Sequence, residues 1–174
     1  MAVVVGMIVH RDPVPPIPEN TRMVDAGAVS FGIEYRFIGE DVAVAHYGKD
    51  EFEKIREENK DFMTPGEEED DGVSIHVFGD DGTEYLRFDC FSDFPHYHYL
   101  MPRESWQRVV TFDELAHGDM LDWTLGALRS RLDPMLRDSG GGSFADRVDA
   151  KQLASALDEV GRIALGAVRR EPVA

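Results

Sequence analysis

The chain has 174 residues, of which 43% are hydrophobic and 30% are charged; this suits one globular domain and leaves no room for two well-packed ones. Its 34 acidic and 18 basic side chains give a formal net charge of −16, which argues against nucleic acid or an anionic membrane as a principal partner, because both require a basic surface. A single cysteine excludes an internal disulfide.

The N-terminal part is predicted to be mostly β. Residues 3–9 have the length and β-branched content of a strand buried on both faces. The four prolines in residues 13–18 predict an extended surface connector, since proline donates no hydrogen bond and fixes φ. Residues 31–38 and 42–47 also have strand-like patterns, joined by a turn at residues 39–41.

The next segment is predicted to be exposed and acidic. Residues 50–60 carry Glu and Lys at helical spacing, which favours one short, exposed helix. Five consecutive carboxylates at residues 67–71 repel one another, so residues 64–72 are expected to form an acidic loop.

The location is expected to be the cytoplasm of a bacterium. The apolar N-terminal stretch is too short to cross a bilayer and lacks the flanking pattern of a signal peptide. The basic residues comprise fourteen Arg and only four Lys, a bias that is typical of a GC-rich bacterial genome.

The central block predicts an antiparallel meander. Residues 73–78 and 84–91 alternate in their side chains, and short turns lead on to two further strands at residues 96–101 and 106–112. Consecutive strands of this kind pair with their neighbours in the chain.

The hydrophobic period then changes from 2 to 3.6. A leucine stripe predicts a first long helix that starts near Asp113, and a second is predicted over residues 146–169. We expect an α+β fold of about six or seven strands with this helical pair on one face. Residues 1–174 form one domain, in which 1–112 are mostly β and 113–170 form the helical hairpin. Apolar residues on more than one helix face favour a homodimer.

Asp89, His96 and His98 form the constellation with the clearest chemistry. Residues two apart in a strand share a face, so the two histidines lie side by side, as do Arg87 and Asp89. Two imidazoles and a carboxylate are a common ligand set for zinc or non-haem iron. The predicted site therefore uses His96, His98 and Asp89 as metal ligands, or Asp89 as a base, with Arg87 orienting an anionic substrate.

Other assignments of these strands remain open. His76, Glu104 and His117 are possible additional ligands. The His-rich strand can also be a purely structural amphipathic strand whose rings cover the sheet. A cupin is excluded, because five residues separate His98 from Glu104, and the expected preceding glycine and second motif are absent.

Residues 85–89, Tyr-Leu-Arg-Phe-Asp, followed by residues 95–99, Pro-His-Tyr-His-Tyr, resemble a group of small uncharacterised bacterial proteins. In these proteins an Arg-Phe/Tyr-Asp strand precedes a His-rich strand, and some are encoded in toxin–antitoxin loci. The resemblance covers residues 73–112. It implies a compact sheet with helical cover and assigns no reaction.

Three functions follow from the sequence. Nucleophile-elbow, phosphate-loop and dinucleotide-binding motifs are absent, which favours a non-catalytic accessory or protein–protein interaction subunit. The first alternative is a small metal-dependent or acid–base enzyme that uses the His-x-His strand with Asp89. The second is a small-molecule binding module with an aromatic pocket built from Tyr97, Tyr99, Trp106 and Trp123.

Overall fold

A computed structural model describes residues 5–60 and 69–168 of the chain. The described part is one antiparallel sheet with helices on both of its faces. None of the described helices is long and apolar enough to cross a membrane.

The seven described strands are β1 (Met7–Val9), β2 (Arg22–Asp25), β3 (Val29–Ile38), β4 (Asp70–Gly79), β5 (Glu84–Phe91), β6 (His96–Met101) and β7 (Trp106–Thr111). They form one sheet in the order β1-β7-β6-β5-β4-β3-β2. Strands β2 to β7 therefore pair in chain order, and β1 pairs with β7 at one edge of the sheet.

Two helical pairs cover the sheet, one on each face. A single 3-10 turn at Pro18–Asn20 precedes β2. The α-helices are α1 (Glu40–Tyr47), α2 (Lys49–Glu58), α3 (Glu114–His117), α4 (Met120–Asp138), α5 (Gly142–Ala145) and α6 (Ala150–Val168).

The hydrophobic core lies between the sheet and the long helices α4 and α6. Alternation along the central strands points apolar side chains such as Phe31, Ile75 and Phe88 at these helices, where all three are fully buried. Leu128 of α4 and Leu157 of α6 belong to the same core cluster and contribute to it from the helices. The expected α+β class, with a C-terminal helical pair on one face of an antiparallel sheet, is confirmed.

The opposite face of the sheet is polar but also buried. Its most buried polar side chains are Glu34, Arg36, Ser74, His76, Arg87, Asp89, His98 and Gln107. The proline-rich segment of residues 11–17, which we call the strap, crosses this face together with α1 and α2, and Arg11 of the strap forms ion pairs with Glu51 and Glu58.

The predicted strand over residues 42–47 is wrong, because these residues belong to α1. The helix follows Gly39, and Glu40 and Asp41 stand in its first turn, where carboxylates stabilise the positive end of the helix dipole. This start signal outweighs the β-branched pattern, and α1 has no buried residue. The short helix predicted over residues 50–60 is present as α2.

Three predicted boundaries also change. Of the strand predicted over residues 3–9, Met7–Val9 form a strand, at an edge and largely exposed, while residues 1–4 lie outside the described residues. Of the acidic loop predicted over 64–72, residues 70–72 belong to β4 and 64–68 lie outside the described residues. The helix predicted from Asp113 is divided at Gly118 into α3 and α4.

Candidate metal centre

The paired strands β5 and β6 bring three candidate ligands together on the polar face. Asp89 lies directly opposite His96, and Arg87 lies opposite His98, as expected from the sequence. Because alternate residues share a face, His98 is the diagonal neighbour of Asp89. The ligand atoms of Asp89, His96 and His98 all lie within 4.8 Å of one another.

The imidazole of His96 is held in one tautomer by the main chain. Its Nδ1 lies 2.7 Å from the carbonyl oxygen of Phe94, which only accepts, so Nδ1 carries the donated proton. In the neutral ring Nε2 is therefore unprotonated, and it lies 3.4 Å from Oδ2 of Asp89. Burial, and then the charge of a protonated His98, lower the pKa of His96 to about 4.

Gln107 of β7 holds His98 in the same tautomer. The Gln107 amide is oriented because its Nε2 donates to the carbonyl oxygen of Arg11 at 2.8 Å. Its Oε1 consequently faces His98 and accepts from Nδ1 at 2.8 Å. The other ring nitrogen of His98, Nε2, lies 3.0 Å from Oδ2 of Asp89, the same oxygen that faces His96.

Asp89 is a buried carboxylate that is 4% exposed. Its Oδ1 accepts a hydrogen bond from the hydroxyl of Ser74, which leaves Oδ2 for the imidazoles. Burial acts to raise the pKa of Asp89, but the hydrogen bond from His98 and the positive charges of both imidazoles and Arg87 hold it well below its usual value. An ionised carboxylate in this position requires a positive partner.

Two ring nitrogens thus converge on one carboxylate oxygen. Neutral imidazoles whose Nδ1 is protonated have no proton to donate to Asp89, so the arrangement requires a second proton on His98 or a cation between the three groups. Zinc or iron(II) binds imidazole nitrogen and carboxylate oxygen at about 2.0–2.2 Å, which places neighbouring ligand atoms about 3–4 Å apart. The distances from Oδ2 of Asp89 to Nε2 of His96, 3.4 Å, and to Nε2 of His98, 3.0 Å, match that spacing.

A second group of charged side chains lies beside the cluster, and its members form hydrogen bonds with one another and with the strap. The two ring nitrogens of His76 lie 3.0 Å from Glu34 and 2.6 Å from Glu84. Arg87 donates to both carboxylate oxygens of Glu84 at 2.8 Å and to the carbonyl oxygen of Val14 at 2.8 Å. The guanidinium predicted to orient a substrate is therefore buried and bonded to protein partners.

The additional ligands considered from the sequence lie apart from the cluster. His76 belongs to the charged group just described. Glu104 is exposed and accepts from the indole nitrogen of Trp106 at 2.7 Å. His117 lies on the exposed helix α3, with its ring centroid 5.6 Å from that of Phe112.

A cavity of about 710 Å³ opens beside His96 and His98. It lies between the polar face and the α1–α2 pair, which contributes Tyr47, Ile55 and Asn59 to its wall. Nine of the twenty described lining residues have aliphatic or phenyl side chains, and these are Val5, Met7, Val9, Ile38, Ile55, Phe91, Phe94, Val109 and Val110.

The aromatic pocket predicted from Tyr97, Tyr99, Trp106 and Trp123 is not this cavity. Alternation along β6 points both tyrosines at the face opposite to the histidines. The rings of Tyr97 and Trp123 pack together there with 5.2 Å between centroids, and Arg108 lies over the ring of Tyr99. None of the four aromatic residues lines the cavity.

The residues that orient the cluster are absent from the sequence prediction. Gln107 and Ser74 each stand on the same face as the ligands, because His98 pairs with Val109 and Asp89 pairs with Ser74. Strand alternation places both residues on the correct face only after the register of three strands is known. The alternation of the strands could therefore identify Gln107 and Ser74 only once the pairing of the strands in the sheet is known.

Comparison with known proteins gives one match. A family model described as a domain of unknown function (DUF7700) matches residues 23–164, a range that includes all three candidate ligands and Gln107. No curated protein and no solved structure matches the chain. The resemblance of residues 73–112 to proteins from toxin–antitoxin loci stays a prediction.

Proposed function

The chain belongs to the DUF7700 family, a domain of unknown function, and we propose that it is a metal-dependent enzyme which holds zinc or iron(II) through Asp89, His96 and His98. The observation that carries the proposal is the matched pair of tautomers. Phe94 and Gln107 each accept an Nδ1 proton, so that both Nε2 atoms face one carboxylate oxygen. Metal-binding histidines have this arrangement, in which the second ring nitrogen donates to a carbonyl or carboxylate.

The donor set also indicates catalysis rather than a closed structural site. Structural zinc sites use four protein ligands, whereas two imidazoles and one carboxylate leave positions open for water and substrate. His96 and His98 line the cavity, so the proposed centre lies next to a space that a small molecule can enter. A metal ion in such a site lowers the pKa of bound water and polarises a substrate oxygen.

The hydrogen bonds favour the metal over a metal-free acid–base centre. A general base needs a nitrogen or oxygen within reach of the substrate proton. In His96 one ring nitrogen is bonded to Phe94 and the other faces Asp89, and in His98 the two nitrogens face Gln107 and Asp89. Neither imidazole presents a free nitrogen to the cavity.

Elemental analysis of protein purified without a histidine tag tests the proposal. After incubation with zinc or iron(II) and removal of the excess, wild-type protein is expected to retain about one equivalent of metal. His96→Ala removes a half-buried ligand and is expected to retain less than a tenth of an equivalent. The matched control His117→Ala removes an exposed histidine outside the cluster and should leave the metal content unchanged.

Two results would contradict the metal proposal. The first is wild-type protein that retains less than a tenth of an equivalent of every transition metal. The second is His96→Ala protein that retains as much metal as the wild type. Circular dichroism of each variant shows whether a loss of metal reflects a loss of fold.

The interaction-subunit and homodimer hypotheses stay predictions. Leu165 of α6, one of the apolar residues on which the dimer hypothesis depends, is 47% exposed and is available to a second copy. Size-exclusion chromatography with light scattering distinguishes a monomer from a dimer, and neither result affects the metal proposal.

A further inference from the structure

We propose that the cavity beside the cluster binds a small apolar organic molecule that is neutral or positively charged, and not an organic acid. The inference rests on the proposed function for one point only, namely that the polar end of a neutral ligand lies at the metal; the ammonium group of a cationic ligand lies at the carboxylates of the wall. The shape and the charge of the cavity wall carry the rest.

The size of the cavity matches a small organic ligand. Its volume is about 710 Å³, and pockets for drug-sized molecules generally measure about 300–1,000 Å³. Phe91, Val110 and His98 in its wall are less than 9% exposed, so they form the most buried part of the wall. The apolar side chains of β1, β7 and α2 then provide contacts that an ion or a sugar would not use.

The charges along the wall are predominantly negative. Glu69, Asp70 and Asp93 line the cavity, and Asp70 is held in place by the main-chain amides of Asp93 and Phe94 at 3.0 and 2.8 Å. Three carboxylates repel an anionic ligand and attract a cationic one.

The arginine in the cavity wall already forms ion pairs with carboxylates of the protein. Arg11 is the one Lys or Arg among the described lining residues, and its guanidinium forms ion pairs with Glu51 at 3.2 Å and Glu58 at 2.9 Å. Recognition of an organic carboxylate or phosphate usually employs an unpaired arginine or lysine. The described wall offers none, so the bound metal would be the only counter-charge for an acid.

Three compounds that share one apolar group separate these alternatives. Isothermal titration calorimetry on metal-loaded protein compares 3-phenylpropanol, 3-phenylpropylamine and 3-phenylpropanoate. We expect the alcohol and the amine to bind at least ten times more tightly than the carboxylate. Asp93→Asn removes one exposed negative charge from the wall, and it should weaken the amine more than the alcohol.

A matched pair of variants locates the binding. Val109→Trp fills the cavity from β7 and is expected to abolish binding of all three compounds. Ile8→Trp introduces the same side chain at an exposed position of β1 that does not line the cavity, and binding should be unchanged. Metal content is measured on the same samples by elemental analysis.

The outcomes separate this inference from the metal proposal. Metal-loaded protein that binds none of the compounds, or that binds the carboxylate as tightly as the alcohol, overturns the inference and leaves the metal proposal intact. Protein that retains no metal yet binds the alcohol and the amine in a way that Val109→Trp abolishes supports the inference and contradicts the metal proposal. Equal binding by the wild type and Val109→Trp also overturns the inference.

Discussion

A hydrogen-bond acceptor beside each imidazole of the cluster fixes the tautomer of the ring. This acceptor lies on the side of the ring that faces away from Asp89. Gln107 donates to the carbonyl oxygen of Arg11 and accepts from His98, so one amide connects the strap to the imidazole. A residue that fixes the tautomer of a ligand affects metal affinity without binding the metal. Gln107 is therefore a positioning residue in the proposed centre.

Replacing Gln107 by Leu is expected to lower the affinity for zinc by about 10–100-fold, the usual effect of losing such a partner. The reason is that Nδ1 of His98 then has no acceptor, and the ring no longer has a preferred tautomer. Competition with a coloured chelator measures the affinity. Gln107→Glu keeps an acceptor for Nδ1 of His98 but places an oxygen against the carbonyl oxygen of Arg11, so its affinity should lie between those of Gln107→Leu and the wild type.

Glu104→Gln is the matched control for Gln107, because Glu104 is an exposed carboxylate outside the cluster that also neighbours Trp106. Its zinc affinity should equal that of the wild type. Gln107→Leu protein that binds zinc as tightly as the wild type would show that the hydrogen bond to His98 has no positioning role.

The strap is held on the sheet by hydrogen bonds from two buried arginines, Arg36 and Arg87. Proline lacks an amide hydrogen, so the strap offers chiefly carbonyl oxygens to the sheet. Arg36 donates to the carbonyl oxygens of Val14 and Pro15 at 3.1 and 3.3 Å, and Arg87 donates to that of Val14. Buried guanidinium groups thus satisfy the acceptors of the strap while their charges are balanced by Glu34 and Glu84.

Arg87→Met is expected to lower the free energy of unfolding by about 3–5 kcal/mol, because Glu84 would stay buried without its bidentate partner. Urea denaturation followed by fluorescence measures the change. The double variant Glu84→Gln with Arg87→Met removes both charges and should recover a clear part of the loss. If the double variant is as unstable as the sum of the two single variants, the pair is not coupled and this account of the strap is wrong.

The elements that the sequence predicts well are those with a local signal. Alternation and short turns identify β4 to β7, and alternation also places Asp89 with His96 and His98. Residues 42–47 mislead because their β-branched side chains favour a strand, whereas the carboxylates of Glu40 and Asp41 favour the start of a helix. The remaining parts of the centre depend on distant contacts, of which the bond between Gln107 and Arg11 joins residues 96 positions apart. No local pattern contains that information.

Over the whole molecule, the acidic side chains that give the net charge of −16 differ widely in how far they are exposed to water. Most acidic side chains are exposed, yet Glu34, Glu84 and Asp89 lie at the polar face of the sheet beneath the strap and are at most 13% exposed at their side chains. Each has a positively charged or hydrogen-bonding partner there. These few buried carboxylates therefore contribute to the response of stability to acid in addition to the large surface charge.

Glu84 gives the clearest acid-stability prediction. Burial acts to raise the pKa of Glu84, but the hydrogen bonds from Arg87 and His76 lower it from 4.5 to about 2. A carboxyl whose pKa is lower in the folded state stabilises the fold fully above the unfolded value, and this contribution is lost as the pH falls from about 4.5 to about 2. The shift corresponds to about 3 kcal/mol at about 1.4 kcal/mol per pKa unit.

Urea denaturation of the wild type and of Glu84→Gln between pH 5 and pH 2 tests this. The difference in unfolding free energy between the two proteins should shrink by about 3 kcal/mol across that interval, because glutamine does not titrate. Asp89 titrates in both proteins and cancels in the difference. Burial lowers the pKa of His76 while Glu34 and Glu84 raise it to a net increase, and in the variant His76 keeps Glu34 as its charged partner. A difference that stays constant from pH 5 to pH 2 would mean that Glu84 has the same pKa folded and unfolded, and that its contacts with Arg87 and His76 do no more than offset the effect of burial.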